Sequence, residues 1–257
     1  MESHIHSGLT SCVLFEEIKG IKWQKGSPEP LSRSAFVDVW QIPLTSYLKY
    51  IPELYQTLQS DEKTRSASFL KENDSHRFIV GRAMLRILLG KYLNIEADKL
   101  RFGFDKYKKP TLKDNEKSVI NFNLSHSGEY LLIAISDNSI GIDIEQYEYD
   151  SRLNQTMQLI FSDSEILFIN KQASPSKIFY KLWTRKEALL KANSSGLSNM
   201  IKYIPCLNGN YFTDYSHIIS FENWVVNSFY LDEEHPASVA FTGNHTKLFF
   251  RQYSEFE

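Results

Sequence analysis

The chain has 257 residues, 42% of them hydrophobic and 14% aromatic. That suffices for one large domain or two modest ones and argues against a disordered chain. A formal net charge of −2 leaves no basic surplus for non-specific nucleic-acid binding, and two cysteines, Cys12 and Cys206, make neither a disulfide framework nor a metal-ligand spacing. No apolar run approaches the ~18 residues of a membrane span, and MESHIHSGLT lacks the parts of a secretory signal, so a cytoplasmic protein with no membrane or nucleic-acid partner is expected.

Residues 1–34 scatter Gly, Ser and Pro and read as an extended arm. FVDVWQI (36–42), rich in aromatic and β-branched residues and closed by Pro43, predicts a strand. Leu48, Ile51, Leu54, Tyr55 and Leu58 recur at helical spacing. Asp61 is placed to cap a helix carrying Lys63 and Arg65. Asn73-Asp74-Ser75 opens a longer helix with Phe78, Leu85, Leu88, Leu89 and Tyr92 on its apolar stripe and Arg77, Arg82 and Arg86 elsewhere. A short strand at 101–104 and a basic turn, YKKP at 107–110, follow.

Three strands are predicted next, at 119–125, 130–136 and 140–145, with Asp137-Asn138 as turn chemistry between the last two. Ser162 and Glu165 form a capping-box pattern, and Pro175 starts a long helix ending near Asn193-Ser194-Ser195-Gly196. From 203 to 253 the text is again strand-like: YFT, HIISF, WVVNSFYL, ASVAFT, LFFRQY. Strand, helices, strands thus occurs twice, with a seam near 137–140. The expected fold is α+β in two pseudo-symmetric halves, 1–138 and 139–257, each an antiparallel sheet packed with helices.

Asp143 and Glu145 lie two apart on a strand and share a face. Adjacent carboxylates repel, and a divalent cation with oxygen ligands resolves that; two solvated acids on a wet face are the plain alternative. In WTRKEALLK, Trp183, Glu187 and Lys191 are spaced i, i+4, i+8 on one helix face. The plain alternative there is a Glu–Lys helix pair with Trp183 in the core. His126 suits a phosphate contact or a turn, Ser125 and Ser127 an anion or a strand end, and Gly128 a close ligand or a turn. Lys63, Arg65, Arg77, Lys108 and Lys109 can meet phosphates or water. Together, three acids, a lysine and a Ser-His turn point to metal-assisted chemistry on a phosphate ester.

FNLSHS (122–127), GIDIE (141–145) and WTRKEALLK (183–191), in this order, resemble the three signature motifs of 4′-phosphopantetheinyl transferases. The two-halved layout resembles the family's Sfp-type, pseudo-dimeric branch. The resemblance covers residues 121–191, extends more weakly to Ser75-His76-Arg77-Phe78 and Lys109-Pro110, and departs at Lys108, where the family turn usually has Gly.

The resemblance implies transfer of the phosphopantetheine arm of coenzyme A, the co-substrate, to a serine of an apo acyl- or peptidyl-carrier domain, releasing adenosine 3′,5′-bisphosphate. It implies Mg²⁺, with Mn²⁺ as a substitute, on Asp143, Glu145 and Glu187, and Lys191 beside the pyrophosphate. It also implies coenzyme A phosphate contacts from Ser125, His126, Arg77 and Arg65 or Lys63, with Lys109 along the nucleotide. Glu165 falls near an acid proposed as general base. A monomer with its active site at the junction of the halves is expected. Two other readings are a metal-dependent phosphodiesterase, which the near-neutral charge and the FNLSHS turn oppose, and a non-catalytic binding module, which the complete set of acids with Lys191 opposes.

Overall fold

The computed structural model describes residues 11–30, 34–106, 109–113, 120–147, 153–194, 201–213, 222–243 and 246–254. Residues 107–108 of the expected basic turn, the expected strand HIISF at 217–221 and Ser195-Gly196 lie outside them. In chain order the strands are β1 (Ser11–Glu17), β2 (Gln24–Gly26), β3 (Phe36–Pro43), β4 (Phe102–Phe104), β5 (Pro110–Leu112), β6 (Asn121–Ser127), β7 (Tyr130–Ser136), β8 (Ile140–Ile144), β9 (Gly209–Thr213), β10 (Asn223–Tyr230), β11 (Pro236–Thr242) and β12 (Lys247–Tyr253). The α-helices are α1 (Leu44–Tyr47), α2 (Ile51–Gln56), α3 (Ser60–Ala67), α4 (Glu72–Leu93), α5 (Leu153–Ile160), α6 (Asp163–Asn170) and α7 (Pro175–Asn193).

The elements fall into two compact units: Lys22–Asp137 with Lys247–Glu257, and Met1–Ile21 with Asn138–Thr246. The chain ends are therefore exchanged relative to a plain division at 138/139. The first unit holds a five-stranded sheet in the order β2-β12-β3-β7-β6 and a small β4-β5 ribbon. The second holds a five-stranded sheet in the order β8-β11-β10-β1-β9.

Neither five-stranded sheet is purely antiparallel, which corrects the expectation. The hairpin-linked strands β6-β7 and β10-β11 pair antiparallel. The terminal strands insert parallel, β12 beside β2 and β3, and β1 beside β10.

Residues 11–17 correct the reading of an extended arm. β1 pairs with β10 on one side and β9 on the other, and Val13 and Phe15 are wholly buried. SCVLFEE has the alternation of a half-buried strand, but its partners lie some 200 residues later, so no local pattern announces it.

In the first unit α4 is the core helix. Val80, Ala83, Met84, Leu88 and Leu89 pack with Trp40 and Ile42 of β3 and Ile133 of β7. The expected cap at Asp61 is replaced by a capping box between Gln59 and Glu62, and α3 starts at Ser60. In the second unit α7 plays the corresponding part, with Leu182, Ala188 and Leu189 packed among Phe15, Trp224, Val226 and Ala240. The predicted capping box at Ser162 forms: the Ser162 N–H donates to Glu165 Oε2 at 2.9 Å, and the Glu165 N–H donates to Ser162 Oγ. The helix predicted at Pro175 starts there and ends at Ser194 in the left-handed conformation.

Candidate active site

The acids lie in the second unit. Among the described residues β8 is an edge strand, paired only with β11 in the register Asp143↔Ser238. α7 lies against it unusually closely at Gly141: a Cβ there would stand 2.1 Å from the Ala188 carbonyl oxygen and 2.3 Å from the Ala192 nitrogen. Only glycine permits that approach. It brings the stretch 183–191 beside the Asp143 end of the strand.

On α7, Trp183, Glu187 and Lys191 are half-buried among buried neighbours, one residue per turn. Lys191 Nζ contacts Asp143 Oδ1 at 2.5 Å. The Trp183 indole N–H donates to Glu145 Oε1 at 3.2 Å. Glu187 lies between these two contacts along the helix, and its buried Oε1 has no hydrogen-bond partner among the described residues. Burial pushes the Glu187 carboxyl up to about 7; the Asp143 and Glu145 carboxylates push the same way, and Lys191 opposes them. The structure thus brings together all four residues predicted for the metal end.

No group of three or more His, Cys, Asp or Glu side chains among the described residues is arranged as a cation-binding cluster. The donor set fits one nonetheless: three carboxylates of hard oxygen character, one of them with a buried oxygen lacking a donor. The Lys191 ammonium meets Asp143, and the Trp183 indole N–H meets Glu145.

Glu165 sits apart in a buried network. It is 4% exposed, and Oε2 accepts from the Ser162 N–H and from Lys186 Nζ, both at 2.9 Å. Cys206 Sγ donates to Oε1 at 3.1 Å. Lys186 also donates to the Ile160 and Ile201 carbonyls. Arg185 is satisfied by Ser228, Asn208 and the carbonyls of Cys206 and Glu16. Adjacent letters of WTRKEALLK therefore do different work.

Lys63, Arg65, Arg77 and Lys109 lie in the first unit. A cleft of about 430 Å³ is lined by Arg65, Arg77 and Arg82 and by Phe69, Phe78 and His126, with Pro110 and Asn123 on its wall. Arg77 Nη1 reaches Asp74 Oδ1 at 3.4 Å, while its buried Nε has no hydrogen-bond partner among the described residues. Arg82 is similar. Its Nε lies 3.9 Å from Glu62 Oε1, it stacks near Phe78 and Phe102, and its buried Nη1 lacks a partner among the described residues. Burial lowers the Arg82 guanidinium, with Glu62 opposing. Buried N–H donors without acceptors cost free energy, and an anion in the cleft would recover it.

His126 is not in a turn, as expected, but the exposed penultimate residue of β6. The turn falls at Gly128, where φ is +54°. Ser125 is buried on the opposite face of β6 from His126 and does not line the cleft. Lys109 closes a loop: its N–H donates to Asp105 Oδ1 at 2.8 Å, and the Asp105 N–H donates to the Lys109 carbonyl at 2.9 Å. Burial lowers its ammonium to about 8, with Asp105 opposing.

Arg82 was not among the predicted site residues. A signal existed in its place five residues after Arg77, but periodicity does not distinguish it from Arg86. Arg86 is 1% exposed and is bonded to Glu62 and the Ala97 and Leu100 carbonyls. Arg86 was expected off the apolar stripe and lies in the core.

Comparison with known proteins identifies the family. Residues 44–138 match the profile of the 4′-phosphopantetheinyl transferase N-terminal domain, and residues 139–251 that of the 4′-phosphopantetheinyl transferase superfamily. The chain is 35% identical over 182 residues to 4′-phosphopantetheinyl transferase HetI of Nostoc sp., covering 69% of this chain and 77% of that protein. It is 27% identical to 4′-phosphopantetheinyl transferase gsp of Aneurinibacillus migulanus, covering 74% and 68%. It is 28% identical to 4′-phosphopantetheinyl transferase Sfp of Bacillus subtilis, covering 55% and 62%. The chain belongs to the 4′-phosphopantetheinyl transferase superfamily, and is a transferase of its Sfp-type branch.

Proposed function

We propose that this transferase uses its arginine cleft for the nucleotide phosphates of coenzyme A and its acid cluster for the reacting pyrophosphate. The reaction moves the 4′-phosphopantetheine arm onto the hydroxyl of a serine in an apo carrier-protein domain. A phosphorus–oxygen bond to the serine forms, the bond to adenosine 3′,5′-bisphosphate breaks, and the serine proton is released.

Asp143, Glu145 and Glu187 would hold Mg²⁺, or Mn²⁺ in its place. The ion supplies Lewis-acid neutralisation of the pyrophosphate oxygens, worth several kcal/mol. Lys191 is one turn from Glu187 and half-exposed, placed to meet the charge on the departing phosphate once it leaves Asp143. The attacking hydroxyl gives its proton to a carboxylate of this cluster. Glu165 is given a supporting part, because its capping box, Lys186 and Cys206 already use its carboxylate. Arg65, Arg77, Arg82 and His126 bind phosphate in the cleft. Lys109 adds charge beside Pro110, and Ser125 supports β6 from its buried face.

One observation carries the metal assignment. Glu187 brings a buried carboxylate oxygen, without a donor among the described residues, into a group that already holds two acids. The test is mass spectrometry of an apo carrier protein incubated with coenzyme A and Mg²⁺. Wild type should add the arm, about 340 Da from the composition of phosphopantetheine. Folded Asp143→Ala should add none, and full transfer by that variant at saturating Mg²⁺ would remove the metal assignment. Cytoplasmic location and a monomeric state are part of this reading. Among the described residues no helix is long and apolar enough to cross a membrane.

A further inference from the structure

We propose that Trp183 is a positioning residue of the cation site, holding the Glu145 carboxylate through its indole N–H. The proposal rests on the reading that Asp143, Glu145 and Glu187 receive a divalent cation.

The two strand acids need different support. Asp143 is a ladder residue, 3% exposed, with a short side chain. Glu145 lies one residue beyond β8, tied by its N–H to the Pro236 carbonyl at 3.1 Å, and its side chain has one more rotatable bond. Its carboxylate has more freedom to lose on meeting an ion. The Trp183 N–H meets Glu145 Oε1 at 3.2 Å, which fixes one oxygen and leaves the carboxylate charge intact.

The ring is built to aim that donor. Trp183 stacks on Phe179 with an interplanar angle of 5° and centroids 6.5 Å apart. Phe179 is buried and is itself held edge-on by Phe161 at 5.4 Å and Tyr180 at 5.1 Å. Packing alone asks only for an aromatic ring, which phenylalanine supplies equally. The N–H on Glu145 is what the stack does not explain.

Charge decides why a tryptophan suits this position. Lys191 brings a full positive charge to Asp143, so an arriving cation and the ammonium compete for that acid. A second lysine on Glu145 would double the competition. An indole is a neutral donor with no acceptor, so it orients the carboxylate without repelling the ion. Such outer hydrogen bonds to metal-binding groups typically change metal affinity about tenfold to a hundredfold.

The experiment is Mn²⁺ binding to the whole protein without coenzyme A, followed by electron paramagnetic resonance. Trp183→Phe keeps the ring and removes the donor. It should bind Mn²⁺ about tenfold more weakly than wild type, with an unchanged melting curve. Trp183→His, which restores a ring N–H, should recover part of the loss. In assays the Mg²⁺ concentration needed for half-maximal rate should rise by a similar factor, while kcat at saturating Mg²⁺ stays within about twofold.

A double-mutant cycle separates positioning from packing. In a Glu145→Ala background, Trp183→Phe should have no further effect on Mn²⁺ binding. An equal loss in both backgrounds means a purely structural role and overturns the proposal. So does wild-type affinity in Trp183→Phe when Asp143→Ala has lost binding, an outcome that leaves the metal reading standing. If wild type and Asp143→Ala bind Mn²⁺ alike, the metal reading itself fails and takes the proposal with it.

Discussion

α4 and α7 are the long helices of the two units, and each carries buried charges of two kinds. On α4, Arg86 spends its guanidinium on Glu62 and two carbonyls, whereas Arg77 and Arg82 keep buried N–H groups without acceptors among the described residues. On α7, Arg185 and Lys186 are bonded to seven acceptors between them, whereas Glu187 keeps a buried oxygen without a donor among the described residues. The helices differ in sign, cationic donors on one and an acid acceptor on the other. They agree in logic. A buried charge that the fold satisfies holds the fold; under the proposed function, one that is left open meets a ligand of opposite sign.

The sharpest way to break this comparison is at adjacent positions of α7. Lys186→Met leaves Glu165 buried and unpaired, and a loss of about 3–5 kcal/mol, or failure to fold, is expected in urea denaturation. Glu187→Gln, one residue later, removes one of three mutually repelling carboxylates. Its stability should equal or exceed that of wild type while transfer to an apo carrier falls to background. A stable Lys186→Met or an unfolded Glu187→Gln would contradict the division of labour.

Gly141→Ala tests how the acid cluster is assembled. The methyl group would meet backbone atoms of Ala188 and Ala192, which cannot swing aside like a flexible side chain. α7 must shift or the protein must loosen, at a cost of about 1–3 kcal/mol typical of overpacking. Transfer should fall further than this loss of stability explains, because Lys191 and Trp183 would lose register with Asp143 and Glu145. Calorimetry beside the carrier assay reads both effects.

The same division on α4 predicts a smaller, separable pair. Arg86→Met should cost about 3 kcal/mol, since it strips Glu62 of its close partner at 2.8 Å. Arg82→Met should leave the melting curve nearly unchanged, because its ion pair with Glu62 is long at 3.9 Å. It should raise KM for coenzyme A about tenfold with kcat little altered, which is the pattern of lost ground-state binding.

The motifs were legible where local chemistry fixes them. Ile140–Ile144 forms a strand, one residue short of the expected end at Glu145, Ser162 and Glu165 form their capping box, and Trp183, Glu187 and Lys191 share one face as their spacing required. What failed to show were features set by distant partners. β1 is a strand because β10 and β9 flank it, and the sheets are mixed because the chain ends insert parallel. His126 lies in β6 because the ladder to β7 runs through Ser127↔Tyr130. Arg82 and Arg86 look alike in sequence, and only the carbonyls of Ala97 and Leu100 mark Arg86 as structural.

Lys109 gives the mildest test, because it lies between the two classes. Burial lowers its ammonium from an ordinary 10.5 to about 8, against the pull of Asp105. The sign follows from the lowered value. In the free enzyme Lys109 is mostly charged at pH 7 and loses its proton as pH rises through about 8, so its attraction for coenzyme A phosphates fades there. The unfolded chain keeps that proton up to about 10.5, so the Lys109 contribution to stability rises with pH between the two values. The kcat/KM for coenzyme A, which reports the free enzyme, should fall severalfold across that step. In Lys109→Met it should start lower and lose the step. If Lys109→Met keeps both the wild-type value at pH 7 and the same inflection, Lys109 belongs with the charges that only hold the fold.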